Sequence, residues 1–161
     1  MKAKDRQVAV DDLDLAILDI LQENSRQTYS EIGRRLGLAH STIYDRIRKM
    51  EQSGIIKKYT VLTDPMKTGL KSLTAILTVF TDPKETESIA MKLADEKEVL
   101  EVFTSLSEEL LIIAKIVAED QEKLHSFVAH SVAPLKGVMR IRTSIVSRKY
   151  KEQNHYFPMK V

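Results

Sequence analysis

The chain has 161 residues, of which 43% are apolar and 30% charged, and its formal net charge is +2. That length allows one or two small domains with real hydrophobic cores, and the composition is typical of a folded, soluble protein. The sequence has no apolar run of the roughly 20 residues that span a bilayer, no apolar secretory leader and no cysteine. We therefore expect a cytoplasmic protein without a membrane partner, a disulfide or a thiolate metal site.

Two short helices are predicted near the N-terminus. Asp11 is a good N-cap for the first of them. Its apolar stripe is formed by Leu13, Ile17, Ile20 and Leu21. Thr28 and Glu31 fit the capping box that opens the second helix, and Gly37 supplies the left-handed residue that ends it. The close spacing of these signals predicts a compact helical unit.

A third helix is predicted to start near Ala39 and to end at Gly54. Ile43, Ile47 and Met50 recur at helical spacing and give this helix one apolar face. Alanine cannot accept a hydrogen bond from the first-turn amides, and a missing cap typically costs about 1 kcal/mol. We therefore expect that Ala39→Ser stabilises the fold.

The second and third helices form a predicted helix-turn-helix pair. The outward side of the third helix carries short hydroxyls near its start and cations further along, which suits a helix lying in a DNA major groove. The residues expected to face the groove are His40, Ser41, Thr42, Tyr44 and Arg48. The residues expected to contact phosphates are Arg34, Arg35, Arg46 and Lys49.

An ordinary exposed helix surface is the alternative for each of these residues taken singly. In that interpretation Tyr44 packs at the domain surface, and Arg46 pairs with Asp45 or Glu51. The distribution of charge favours DNA for the group, because residues 26–58 hold eight Lys or Arg and three Asp or Glu. A local positive excess of this kind is the footprint that a phosphate backbone requires.

A strand from Ile56 to Leu62 is predicted to connect this unit to the rest of the chain. A turn follows at residues 63–65 and another at Gly69. We place the domain boundary here, which gives a DNA-binding domain with its connecting strand at residues 1–62 and a second domain with a C-terminal tail at residues 63–161.

The second domain reads as β-α-β-β-α-β. Strands are predicted over residues 73–81, 99–106, 110–117 and 138–146, and helices over residues 82–96 and 120–132. This is the order of the ferredoxin-like split βαβ fold, so the chain is α+β. Its sheet is covered by helices on one face, and we expect the open face to be apolar and to self-associate.

The chain resembles the leucine-responsive regulatory protein/AsnC family of transcriptional regulators over residues 10–146. The segments that carry the resemblance are VDDLDLAILDIL, NSRQTYSEIGRRLGL, STIYDRIRKMEQSGIIKKY, LTDPMKTG, EVLEVF and LKGVMRIRTSIV. The resemblance implies a sequence-specific regulator that binds double-stranded DNA through its N-terminal domain. It also implies a C-terminal ligand-sensing domain of ferredoxin-like fold, a homodimer that assembles further, often to an octamer, and a small effector, commonly an amino acid, bound between dimers.

The chain departs from the family pattern where relatives bind the effector. The family turn T-G-x-x-D between the second and third strands is replaced by residues 106–109, which lack glycine, and of T-x-T in the last strand only Thr143 remains. The candidate effector-binding residues are Ser107, Glu108, Glu109 and Thr143. Carboxylates at these positions would suit the ammonium group of an amino acid. The alternative is a solvated acidic turn, in which case the ligand is different or absent.

Two other functions are weighed against a regulator. Catalysis is disfavoured, because the sequence has no Ser-His-Asp arrangement, Gly-rich phosphate loop or HExxH motif. His125 and His130 are five residues apart and do not share a helix face for a metal. We therefore predict no enzyme activity, no metal site and no cofactor other than an amino-acid-like effector. An effector-independent architectural protein, similar to a chromatin protein, keeps the DNA contacts without sequence specificity.

Overall fold

The computed structural model describes residues 9–69, 71–105 and 110–152. These residues separate into two compact units, of which the first holds residues 9–62 with residues 151–152 and the second holds residues 63–150. Each unit has a hydrophobic core of its own. Among the described residues no helix is long and apolar enough to cross a membrane.

The first unit contains three helices, α1 (Asp12–Glu23), α2 (Tyr29–Leu36) and α3 (His40–Gln52). The predicted cap of α1 is confirmed, since Asp11 Oδ1 accepts a hydrogen bond from the Asp14 amide at 2.8 Å. At α2, Thr28 Oγ1 accepts from the Glu31 amide at 3.2 Å, and the Thr28 amide donates to Glu31 Oε2 at 2.7 Å. These reciprocal bonds satisfy first-turn amides that would otherwise lack partners.

The helix ends follow the predicted glycines. Gly37 has φ +69° and ends α2, and the Leu38 amide donates to the Gly33 carbonyl at 2.8 Å. Gly54 has φ +75° just after α3, and its amide donates to the Glu51 carbonyl at 3.1 Å. Positive φ is strained for most side chains, so glycine at these two places lets each helix stop sharply.

The three helices meet on one buried cluster. Its members are Ile17, Leu18, Ile20, Leu21, Ile32, Ile43, Ile47 and Met50. The apolar face predicted for α3 is confirmed, because Ile43, Ile47 and Met50 are almost completely buried. Burial of this face fixes which side of α3 faces outward.

The connecting segment is not the strand that the sequence predicts. Residues 57–62 belong to no helix or strand, and the described sheet contains only strands from the second unit. A strand needs a neighbour for its backbone hydrogen bonds, so β-branched composition alone does not make one. Val61 and Leu62 are 81% and 58% exposed. The Tyr59 hydroxyl donates a 2.9 Å hydrogen bond to Glu51 Oε1.

The second unit begins with α4 (Pro65–Thr68), a single helical turn where the sequence predicted only a turn. The other elements are β1 (Leu73–Thr81), α5 (Thr86–Ala94), β2 (Val99–Ser105), β3 (Leu111–Ala118), α6 (Gln121–Phe127) and β4 (Val138–Ile145). The four strands form an antiparallel sheet in the order β2-β3-β1-β4. The predicted ferredoxin-like βαββαβ fold is thereby confirmed.

The helices of the second unit differ from the prediction at their ends. α5 starts at Thr86 rather than at Asp82, because Asp82 closes a tight turn: its carboxylate accepts from the Lys84 amide and its carbonyl from the Glu85 amide, both at 2.9 Å. α6 is capped by Asp120 as predicted, and it continues into a π-helical turn over Val128–Val132.

The two faces of the sheet differ in polarity. The helix-covered face is a buried core that includes Ala75, Leu77, Val79, Ile112, Ala114 and Ile116. On the open face, the Arg140 guanidinium lies 3.8 Å from the Phe80 ring centroid, and Lys115 pairs with Glu101 at 2.7 Å. The expectation of an apolar open face is therefore only partly right, because ionic groups are interleaved with exposed Phe103 and Ile113. Alternation along a strand predicts which face a residue occupies, but it does not predict which side chains of neighbouring strands meet on that face.

Candidate nucleic-acid interface

The approach of α2 to α3 depends on Gly33. An ideal Cβ built on Gly33 would lie 2.6 Å from the Leu38 carbonyl oxygen and 3.6 Å from Ile43 Cγ1. Any side chain larger than hydrogen would therefore collide with backbone in the turn. This close contact holds α3 against the core and leaves its opposite side in solvent.

The outward side of α3 carries most of the residues that the sequence predicts for DNA. His40, Ser41, Tyr44, Arg48 and Lys49 are exposed, and Thr42 is half-buried. Because His40, Tyr44 and Arg48 are spaced by one helical turn, they form a continuous ridge. Hydroxyl, imidazole, phenol and guanidinium groups on one ridge are the donors and acceptors that base edges require.

Aromatic contacts organise this ridge. The Tyr29 ring, at the start of α2, lies 5.7 Å from the His40 ring and 5.7 Å from the Tyr44 ring, at interplanar angles of 63° and 65°. The Arg48 guanidinium lies 6.0 Å from the Tyr44 ring centroid. Tyr29 is absent from the predicted set of DNA-binding residues. Its position after the Thr28 cap is visible in the sequence, but its ring partners belong to another helix and depend on tertiary structure.

The contacts of Arg46 differ from the phosphate contact predicted for it. Its Nη1 lies 2.7 Å from Asp11 Oδ2 and 2.7 Å from Asp14 Oδ1, so the guanidinium ties α3 to the start of α1. Asp14 is almost buried, with a side chain 10% exposed. The structure therefore places this guanidinium in an ion pair rather than free for phosphate, and the partners are neither Asp45 nor Glu51. Sequence spacing could not show this, because 32 and 35 residues separate the partners.

The same contacts perturb two ionisable groups. The hydrogen bond from the Asp14 amide, followed by that from Arg46, lowers the pKa of Asp11 below its ordinary value of 3.8. Hydrogen bonds to Asp11 and Asp14 raise the pKa of the Arg46 guanidinium further above its ordinary value. Both groups are therefore charged at neutral pH, and the ion pair is complete.

Arg34 and Arg35 lie on the exposed side of α2. Arg35 Nη1 pairs with Glu23 Oε2 at 2.9 Å, and both side chains are more than half exposed. An exposed pair of this kind is weak and exchanges readily for a phosphate. Near the turn, Ala39 makes no side-chain cap for α3, as predicted.

Three of the four predicted effector residues, Ser107, Glu108 and Glu109, lie outside the described residues. Thr143 is in β4, opposite Leu77 of β1, and so lies on the helix-covered side of the sheet at an exposed edge strand. The described residues contain no group of three or more His, Asp or Glu side chains that could hold a metal ion.

Two family descriptions match this chain. Residues 10–51 match the AsnC-type helix-turn-helix domain, and residues 74–156 match the Lrp/AsnC ligand binding domain. Among similar proteins, the HTH-type transcriptional regulator FL11 of Pyrococcus horikoshii is 35% identical over 145 residues, which cover 90% of this chain and 94% of FL11. LrpA of the same organism is 32% identical over 142 residues, which cover 88% and 99% of the two chains.

Solved structures of other regulators share the fold of this chain. A transcriptional regulator of Neisseria meningitidis, crystallised as an L-Met complex, is 27% identical, with a TM-score of 0.79 over 94% of this chain and 98% of that one. AsnC of E. coli, at 24% identity, shares the fold with a TM-score of 0.76 over 91% and 98% of the two chains. The chain belongs to the Lrp/AsnC family of helix-turn-helix transcriptional regulators, which are not enzymes.

Proposed function

We propose that this regulator recognises particular DNA sequences through the exposed ridge of α3. The observation that carries the proposal is the division of α3 into a buried apolar face and an outward row of His40, Tyr44 and Arg48. A helix fixed by its buried face presents its outward side chains at constant positions, which base reading requires. Ser41 and Thr42 would add hydroxyl contacts in the same groove.

Phosphate contacts are proposed for Arg34, Arg35 and Lys49, which flank the ridge and are exposed. Arg46 is left out of this set because its guanidinium is committed to Asp11 and Asp14. Phosphate contacts hold the register of a protein on the duplex without reading its sequence. We also propose a domain division at residues 1–62 and 63–161, which assigns all these groups to one DNA-binding domain.

The test is the binding of Arg48→Ala. Duplexes selected by the wild-type chain from a random library would be compared with scrambled duplexes by fluorescence anisotropy. If Arg48 reads a guanine, the variant should lose roughly 1–3 kcal/mol of discrimination. An equal loss on every sequence, with a shallower salt dependence, would reassign Arg48 to a phosphate.

A homo-oligomer is also proposed, with a dimer that assembles further to an octamer. Two features support it, the exposed Phe103 and Ile113 on the open sheet face and the exposed residues 57–62, since both would be covered in an assembly. Light scattering of the purified chain at several concentrations tests this proposal. A monomer at all concentrations would contradict it.

Modulation by an amino-acid-like effector is proposed for the second domain. Its support is the match to a ligand-binding domain and the likeness to a relative crystallised with L-Met. Thr143, together with Ser107, Glu108 and Glu109 from the sequence prediction, would contribute to the site. In a thermal-shift screen of amino acids, a binder should raise the melting temperature as its concentration passes its dissociation constant. No shift with any of them would favour an effector-independent, architectural role.

A further inference from the structure

Tyr29 stands at the junction of the two helices of the DNA-binding motif. It is the first residue of α2, and its half-buried side chain packs against the core of the first unit. The reciprocal bonds between Thr28 and Glu31 fix the backbone immediately beside it. The Tyr29 ring therefore projects from a rigid position.

Two aromatic side chains of α3 contact the Tyr29 ring. His40 and Tyr44 are one turn apart and each makes an edge contact with Tyr29 at a centroid distance of 5.7 Å. Tilted ring pairs at about 4.5–7 Å are a favourable arrangement, because the positive edge of one ring meets the negative face of the other. One side chain of α2 thus holds two neighbouring members of the α3 ridge.

Ala39 makes no side-chain hydrogen bond to the first-turn amides of α3. His40, the first residue of this helix, has its ring in contact with the Tyr29 ring. The influence continues along the ridge, because the Arg48 guanidinium lies 6.0 Å from the Tyr44 ring.

We infer that Tyr29 is a positioning residue for DNA recognition, whose ring holds His40 and Tyr44, and through Tyr44 also Arg48, in the arrangement that α3 presents to base edges. The inference rests on the proposed function, because it concerns how the ridge discriminates between sequences. Tyr29 carries no charge, so its effect is on discrimination and not on the number of phosphates neutralised. A loose side chain can still bind DNA, but it reads bases less selectively.

The test compares Tyr29→Phe, which keeps the ring, with Tyr29→Leu, which keeps apolar bulk but removes the ring. Both full-length variants would be titrated with the selected and the scrambled duplex over a range of salt concentrations. Tyr29→Leu should reduce the ratio of the two affinities roughly three- to tenfold, as the loss of one or two ring contacts implies. Its salt slope should stay at the wild-type value, and Tyr29→Phe should retain the wild-type ratio.

Three results overturn the inference. An unchanged ratio in a folded Tyr29→Leu chain shows that the ring does not position the ridge. An equal loss on both duplexes shows that the variant damages the domain as a whole. A wild-type chain that shows no sequence preference contradicts both the proposed function and the inference. This outcome is distinguishable from the first two, because it is measured on the wild-type chain and not on a variant.

A second measurement does not require a variant that folds. Nuclear Overhauser contacts from the Tyr29 ring protons to the rings of His40 and Tyr44 should be present in the free wild-type chain and in its complex with the selected duplex. Loss of these contacts in the complex would overturn the inference, because the ring would not hold either residue while DNA is read.

Discussion

Ala39 leaves the first-turn amides of α3 without a side-chain acceptor. Its φ and ψ of −68° and 145° are those of an ordinary N-cap, so a serine can adopt them without strain. We predict that Ala39→Ser raises the free energy of unfolding by about 1 kcal/mol, measured by urea denaturation. Ala39→Val is the control, since it has no acceptor. A serine variant no more stable than the valine variant would contradict the prediction.

Arg46 is expected to support the fold rather than contact DNA. Arg46→Met keeps the unbranched stem but leaves Asp14, whose side chain is 10% exposed, without its cation. The free energy of unfolding should fall by roughly 1–3 kcal/mol, the range for a buried group that loses its partner. Lys49→Met is the matched control on the same helix: it should leave stability unchanged and lower the logarithmic salt slope of DNA binding by about 0.9. The prediction would be contradicted if Arg46→Met lowered the salt slope of DNA binding and left stability unchanged, because Arg46 would then contact DNA.

Asp11 makes the stability of the first unit sensitive to acid. Its pKa is lower in the folded chain than the ordinary 3.8, so the ionised form favours folding. The contribution is fully present above the unfolded pKa and is lost as the pH falls through the lower folded value. Asp11→Asn keeps a capping oxygen but does not titrate. Between about pH 5 and about pH 2, it should lose less stability than the wild-type chain in urea denaturation series. Parallel losses in the two chains would contradict the prediction.

At the scale of the element, the pairing of α2 with α3 depends on the missing side chain at Gly33. A methyl group there would meet the Leu38 carbonyl oxygen at 2.6 Å, and neither backbone can move without opening the turn. We predict that Gly33→Ala lowers the free energy of unfolding by about 1–3 kcal/mol, as overpacking does. Gly37→Asn is the control, because a Cβ there has nothing within 4 Å and asparagine tolerates positive φ. Equal losses of unfolding free energy in the two variants would contradict the prediction, because they would show that backbone conformation and not the lack of space at Gly33 determines the loss.

Local chemistry explains which elements were predictable. The caps at Asp11, Thr28 and Asp120 and the stop at Gly37 involve residues within a few positions of one another, so the sequence displays them directly. The segment from Ile56 to Leu62 has the composition of a strand, yet its state depends on a partner elsewhere. Short-range patterns predict a helix start where a capping residue marks it, as at α1, α2 and α6, but they do not predict strand pairing.

At the scale of the whole molecule, two units with separate cores follow from the change of hydrophobic period between the two halves of the sequence. The order of the four strands follows from the order of elements, because few topologies accommodate β-α-β-β-α-β. The site was predictable in outline, since the exposed side of α3 is the complement of its apolar stripe. The contacts of Tyr29 and Arg46 were not, because both are made with residues of another helix and depend on tertiary structure.

The most direct test of the central claim is hydroxyl-radical footprinting of the full-length chain on a long duplex that contains one selected site, at several salt concentrations. We predict discrete protected half-sites whose centres are separated by whole helical turns, about 10.5 base pairs or a multiple of it, as a symmetric assembly requires. Protection should weaken as salt rises. Continuous coverage independent of sequence, or protection that salt does not weaken, would contradict the account.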